Sequence, residues 1–281
     1  KRRSLHWQGG LLVIPLINAY FCRMEQNNAY MIPTSAKEVK ALGWDYIDVI
    51  LFTGDAFIDH PSFGTAVIAR WLQKHGYRVA VVPQPNWRDD LRDFRKLGAP
   101  RLYFGVNSGA MDSMVNHYTA AKRLRSDDAY TPEGKAGMRP DYCTITYCNI
   151  LKKLYPDIPI VIGGIEASMR RLTHYDYWSD SFKRSVLLDS GANLISYGMG
   201  ERSIVEIADA LNSGIAVEDI TFIDGTVYKA KSLESVYDYE LLPDYDALLA
   251  DKKAYAKSFL IQYENTDPFA GKRLVEPYGT H

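Results

Sequence analysis

Cysteine is the first thing this sequence is short of: its 281 residues hold three, Cys22, Cys143 and Cys148. A disulfide framework needs more of them at regular spacings, so a reducing compartment, the cytoplasm, is expected. The spacing of Cys143 and Cys148 fits neither a zinc knuckle nor an iron–sulfur motif, which leaves them as buried thiols and predicts no metal ligand in this chain. Long apolar runs are missing too. Residues 11–16 follow Lys1-Arg2-Arg3 in the manner of a signal peptide, but Pro15 and Asn18 interrupt the stretch and no small-residue cleavage site follows. The run is far short of the roughly 20 apolar residues that span a bilayer, so no membrane partner is expected and residues 1–30 read as a non-core extension. Surplus charge is also absent. Lys and Arg number 33 against 34 Asp and Glu, for a formal net charge of -1. That balance argues against a nucleic-acid binder that depends on a general positive field, though it leaves a local basic patch open. Finally, no Gly-x-Ser-x-Gly elbow, Walker loop, HExxH helix or full GxGxxG fingerprint occurs, so hydrolase, NTPase, zinc-protease and simple dinucleotide readings have no starting point.

What is present is the pattern of an ordinary folded protein, with 47% hydrophobic and 24% charged residues. Ser35 and Glu38 are placed as a capping box, which predicts that the domain proper starts near Met31. Residues 47–53 form a β-rich run with no polar face, as a strand covered on both sides requires. A helix over 62–75, stopped by Gly76, and a strand over 78–82 complete one βαβ unit. Further strands are predicted at 102–106, 158–162 and 193–197, with helices over 144–155 and 202–212 between or after them. The fold class is therefore α/β: a Rossmann-like or flavodoxin-like parallel sheet of about five strands with helices on both faces, over residues 31–214. Beyond it, 215–281 reads as a β-hairpin, 221–223 and 226–228 turned by Asp224-Gly225, then an amphipathic helix over 243–264.

In open parallel sheets, ligands collect beyond the carboxyl ends of the strands, and that rule selects the candidate site residues. After the first strand come Asp55, Asp59, His60 and Gly64; the His-containing loop is like an Asp-x-His-x-x-Gly cobalamin loop with His60 one place early. After the third strand come Asn107, Asp112, Asn116 and His117, within an insert that is long and polar for a crossover. It reads either as an ion-paired surface or as a cleft wall. Gly163-Gly164 and Glu166 follow the fourth strand, where a glycine pair reads as a tight strand-to-helix turn or as a place for backbone to approach a phosphate or adenosyl group. Next, residues 170–178 bring Arg170, Arg171, His174 and aromatic rings. They read first as a structural corner with Arg170 or Arg171 paired to Asp176 or Asp180, and otherwise as a site for an anionic planar ligand. Asp55, Asp59, His60, Gly64, Asn107, Asp112, Asn116, Gly163, Gly164 and Arg170 are the candidate cofactor-binding residues. His117, His174 and Glu166 are the candidate proton-handling residues.

The words Thr53-Gly54-Asp55-Ala56, Asp59-His60-Pro61-Ser62-Phe63-Gly64, Gly163-Gly164-Ile165-Glu166-Ala167-Ser168 and His174-Tyr175-Asp176-Tyr177-Trp178-Ser179-Asp180, with 111–118 and 125–132, together resemble the amino-terminal region of YgiQ-type radical SAM (S-adenosylmethionine) proteins. The likeness runs from about Met31 to the end. It implies that a downstream barrel, not in this chain, carries CxxxCxxC and with it a 4Fe-4S cluster and SAM. This chain would then be an accessory domain over the barrel mouth, shaping a cofactor or substrate cleft for a substrate the sequence does not name. The alternatives are a cobalamin- or nucleotide-binding domain without chemistry of its own, or a structural docking domain.

Overall fold

The computed structural model describes residues 31–56, 63–230, 232–234, 236–267 and 269–279. The expected extension 1–30 lies outside them, as do Asp59 and His60. In chain order the first elements are α1 (Ala36–Ala41), β1 (Val49–Thr53), α2 (Phe63–Lys74), β2 (Val79–Pro83), α3 (Arg92–Arg95) and β3 (Tyr103–Asn107). Then come α4 (Ser113–His117), α5 (Cys143–Leu154), β4 (Ile160–Ile162), α6 (Gly164–Met169), β5 (His174–Asp176), β6 (Ser181–Lys183) and α7 (Val186–Asp189). The chain continues through β7 (Leu194–Ser196), α8 (Glu201–Asn212), β8 (Thr226–Tyr228), β9 (Tyr239–Leu241), α9 (Tyr245–Ala250), α10 (Lys252–Glu264) and β10 (Arg273–Val275).

The predicted capping box forms: Ser35 Oγ accepts from the Glu38 N–H while Glu38 Oε2 accepts from the Ser35 N–H. All five side chains of β1 are buried, because β1 lies inside the sheet with helices on both faces. β2, β1, β3, β4 and β7 are parallel neighbours in that order, and β8 closes the sheet antiparallel to β7. The parallel part is thus the flavodoxin-like arrangement. Alternation along β1 divides the core. Ile50 and Phe52 pack with Phe94, Phe104, Tyr147 and Leu151 under α3 and α5. Val49 and Leu51 pack with Leu72, Val79, Ile204 and Ile207 under α2 and α8. Each fully buried Leu or Ile in these clusters contributes about 1.5–3 kcal/mol. Phe52 anchors its side through rings centred 5.2 Å from Phe94 and 5.7 Å from Phe104.

Two details differ from expectation. Residues 221–223 do not pair with 226–228: only β8 is a strand, and its partner is β7, which reaches it in the register Ser196 to Thr226. Ile223 is buried in the core instead, and its carbonyl accepts from Thr226 Oγ1 at 2.6 Å. The long helix over 243–264 is two helices. Asp251 is extended between them: its carboxylate accepts from the Lys253 N–H at 2.9 Å to start α10, and its backbone N–H donates to the Ala247 carbonyl at the end of α9.

Candidate functional site at the carboxyl ends of the strands

The strand order reverses between β1 and β3, and a crevice is expected at their carboxyl ends. Here Asn107 ties the two strands together. Its Oδ1 accepts from Thr53 Oγ1 at 3.0 Å, from Thr65 Oγ1 at 3.3 Å and from the Gly109 N–H at 2.9 Å. Two glycines let the turns close over this point. A Cβ on Gly54 would strike the Ser108 carbonyl, and one on Gly109, at φ +100°, would strike the Asp55 carboxylate.

Asp55 lies beneath that turn, buried. One carboxylate oxygen accepts from the Ala110 N–H at 2.7 Å and the other is 2.9 Å from Arg139 Nη2. Arg139 is the largest fully buried side chain described, and three groups satisfy its fork: Asp55, Asp128 at 3.1 Å from Nε, and the Ser108 carbonyl at 2.9 Å from Nη1. Burial would raise the Asp128 carboxyl, but the Arg139 charge and the Tyr130 N–H outweigh it and hold the group below the usual carboxylate range.

A second ion cluster lies alongside. Asp112 caps α4, accepting from the Met114 and Val115 N–H groups at 2.9 and 3.2 Å. Its other oxygen receives Arg170 Nε at 3.0 Å and Nη2 at 2.9 Å. Arg170 also stands 3.7 Å from Asp176, which accepts from Tyr142 Oη at 2.8 Å and the Ser179 N–H at 3.1 Å. Of the pairings expected for this segment, Arg170 with Asp176 forms, while Asp180 accepts from Tyr175 Oη. Glu166, on α6 and almost wholly buried, holds two helix starts at once. Oε2 accepts from the Ser113 N–H at 2.9 Å and from Ser113 Oγ, and Oε1 accepts from the Thr144 N–H at 3.0 Å. A carboxylate between two positive helix ends is favourable, and both its oxygens are occupied by the protein itself.

Asp55, Asn107, Asp112, Glu166 and Arg170 therefore lie in one layer beneath the strand ends. Asn116 joins it beside Asp128, close enough to favour the carboxylate although its Nδ2 lies outside hydrogen-bond geometry. His117 faces elsewhere: Nδ1 is 2.6 Å from Asp141, which also accepts from Tyr118 Oη at 2.8 Å, and the buried Nε2 of His117 has no partner among the described residues. His174 is separate again, on β5, with Nδ1 3.1 Å from the Leu172 carbonyl; burial lowers its pKa. No hydrogen bond among the described residues joins the two histidines. Gly163 and Gly164 form a ledge above the layer, Gly164 at φ +77° with Asn107 Cβ beneath it. Around the ledge Ile165, Met169 and Met199 are exposed, Met199 at 88%. Gly64 sits in the first turn of α2, with no atom of the described residues within 4 Å of where a Cβ would stand.

Arg139, Asp128 and Asp141 were not among the candidate residues, and no local motif marks them, because their partners come from other loops. Only the unusual polarity of the long insert pointed to that region. The layer is thus a largely self-paired scaffold that fixes α4, α5 and α6 rather than a set of free reactive groups. A cluster does not fit the described cysteines either. Cys143 and Cys148 lie in the core on α5, burial pushes both thiols well up, and a ligand must be a thiolate. Among the described residues no three His, Cys, Asp or Glu are placed to hold a metal ion, and no helix is long and apolar enough to cross a membrane.

The sequence is 52% identical over 258 residues to a UPF0313 protein of Bacteroides thetaiotaomicron, covering 87% of this chain and 42% of that one. With a UPF0313 protein of Porphyromonas gingivalis the identity is 53% over 251 residues, 88% of this chain and 40% of the other. The chain thus spans about two fifths of the length of these curated relatives. Among solved structures it is similar, at 20% identity and a TM-score of 0.43, to the radical S-adenosylmethionine methyltransferase TsrM of Kitasatospora setae with cobalamin and a 4Fe-4S cluster bound, over 66% of this chain and 28% of that one. The Radical SAM N-terminal family model matches residues 31–281, and the chain belongs to that family.

Proposed function

We propose that this chain is the amino-terminal accessory domain of a cytoplasmic radical SAM enzyme of YgiQ type, whose iron–sulfur cluster and SAM are held by polypeptide downstream. The observation that carries the reading is the family match over residues 31–281, together with curated relatives more than twice as long as the stretch this chain aligns with. The cysteines support it: the two described thiols are core groups with raised pKa values, which leaves cluster ligation to residues other than these two. When bound there, the cluster would supply the electron for reductive SAM cleavage.

The part this chain plays follows from its scaffold. The Asp55–Arg139–Asp128 and Asp112–Arg170–Asp176 clusters and the Glu166 joint lock the loops behind the Gly163-Gly164 ledge. In this reading the ledge, with exposed Ile165, Met169 and Met199, is the face on which the downstream domain packs, so that the cleft is closed from both sides. Arg170, Asn107 and Glu166 then act as positioning residues rather than as groups that meet a ligand. Anaerobic expression of the full gene with iron and sulfide tests the proposal. It requires a 4Fe-4S absorption spectrum and formation of 5′-deoxyadenosine from SAM. A reconstituted full-length protein with neither would end the reading. Met199→Asp should leave the stability of this chain within about 0.5 kcal/mol, since it alters an exposed position, and abolish its association with the separately expressed downstream half.

A further inference from the structure

The even overall charge conceals a segregated patch. Residues 118–124 form a tight hairpin: Tyr118 bridges Leu124, the Thr119 N–H donates to the Arg123 carbonyl at 2.8 Å, and Lys122 takes the left-handed conformation at φ 59°. This hairpin is latched to the β5–β6 hairpin. Lys122 Nζ donates to the Trp178 carbonyl at 2.9 Å, Tyr177 Oη donates to the Ala120 carbonyl at 2.7 Å, and Tyr118 stacks on Trp178 with ring centroids 4.0 Å apart. The ammonium of Lys122 lies 5.0 Å from the Tyr177 ring centre, and that ring is 56% exposed. Lys122, Arg123 and Arg125 are all exposed, and none pairs with a carboxylate among the described residues. Two segments far apart in the sequence have thus been brought together to carry fixed aromatic planes beside three cations that pair with no carboxylate among the described residues.

We infer that the latched hairpins at 118–125 and 174–183 form a binding surface for single-stranded nucleic acid. Stacking needs an unpaired base, because the bases of a duplex present only their edges, and every base has a face for Tyr177. Lys122, Arg123 and Arg125 meet the phosphates, and the nearby Asp180 carboxylate is already held by Tyr175 Oη. An acidic peptide would use the cations and leave the rings idle. The inference rests on this surface alone, so it can fail while the radical-enzyme reading stands, and the reverse.

The test is fluorescence anisotropy with the 281-residue chain and labelled single strands about 12 nucleotides long, one of RNA and one of DNA with the same sequence. Three phosphate contacts at about 0.7 each give a log–log salt slope near -2, so raising salt fourfold should weaken binding about 20-fold. Replacing Lys122, Arg123 and Arg125 by Gln should flatten that slope. Tyr177→Leu should weaken binding about tenfold at every salt concentration. Tyr177→Phe, which keeps the ring and loses the latch bond to Ala120, should retain binding, separating stacking from loss of local structure. A preference for the RNA strand would assign the 2′-hydroxyl a role; equal binding would assign the surface to single strands of either sugar. Absence of binding at low salt overturns the inference. So does binding that Tyr177→Leu leaves unchanged, or that polyglutamate displaces as readily as unlabelled RNA, since either outcome reduces the surface to a nonspecific polyanion patch.

Discussion

The buried Arg139 allows the sharpest test of the strand-end scaffold. Arg139→Met keeps much of the side-chain volume and removes the charge, leaving Asp55 and Asp128 without their cation and the Ser108 carbonyl without its donor. Removing one partner of a buried pair costs about 3–5 kcal/mol, chiefly because the charge left behind is uncompensated. For a domain of this size about 2–4 °C is lost per kcal/mol, so the melting temperature should fall by about 6–20 °C. The pH dependence has a definite sign. In the native chain the Asp128 carboxyl is held below its unfolded value, so its stabilisation is full above about pH 4 and is lost as pH falls through the folded pKa. In the variant the same buried carboxyl loses its cation and prefers the protonated state, so stability declines as pH rises past about 4. The gap between the two proteins should therefore widen from pH 4 to pH 7. Urea denaturation followed by circular dichroism at both pH values measures it. A deficit below about 1 kcal/mol at pH 7, or one that does not change with pH, would refute the assignment of Arg139 as the charge that holds the layer.

Three further outcomes are expected. Glu166→Gln places an amide NH₂ against one of the two N–H groups that the carboxylate now accepts, and should cost about 2–3 kcal/mol in thermal or urea unfolding. Gly109→Ala should destabilise the chain by more than about 1 kcal/mol, since a Cβ there needs both a left-handed backbone and the space of the Asp55 carboxylate; Gly64→Ala, whose Cβ would meet no atom of the described residues within 4 Å, serves as the matched comparison. In a Cys22→Ser background, Ellman's reagent at pH 8 should find neither Cys143 nor Cys148 until denaturant is added, because burial keeps both as protonated core thiols.

The sheet was legible because its strands are short apolar runs separated by helical periodicity, and such runs have little choice but to be central. Val49 to Thr53, with no polar face, is the plainest case. Where local chemistry decides, as at Ser35 and Glu38, the sequence also suffices. The hairpin at 221–228 was misjudged because Asp224-Gly225 is a good turn in either context, and the unpaired edge of β7 competed successfully for 226–228. Asp251 broke the long helix for a similarly local reason, a forward hydrogen bond that periodicity does not register. The candidate residues were found by one rule, proximity to strand ends, and that rule locates a level in the molecule rather than a partner. It selected Asp55 and Asp112 without revealing that arginines from distant loops would occupy them. It also grouped His117 with His174, which lie apart because one rides on a helix and the other on a separate hairpin.

The carboxylate of Glu166 has an implication for how this architecture can vary. It welds the first turns of α4 and α5 to α6, so three segments that are distant along the chain share a single hinge pin. Lengthening the polypeptide at that pin would pull all three out of true together. Insertions are tolerable only in stretches that lie off it, such as the exposed turn at 212–216 after α8, where added residues would enlarge the surface and leave the framework undisturbed.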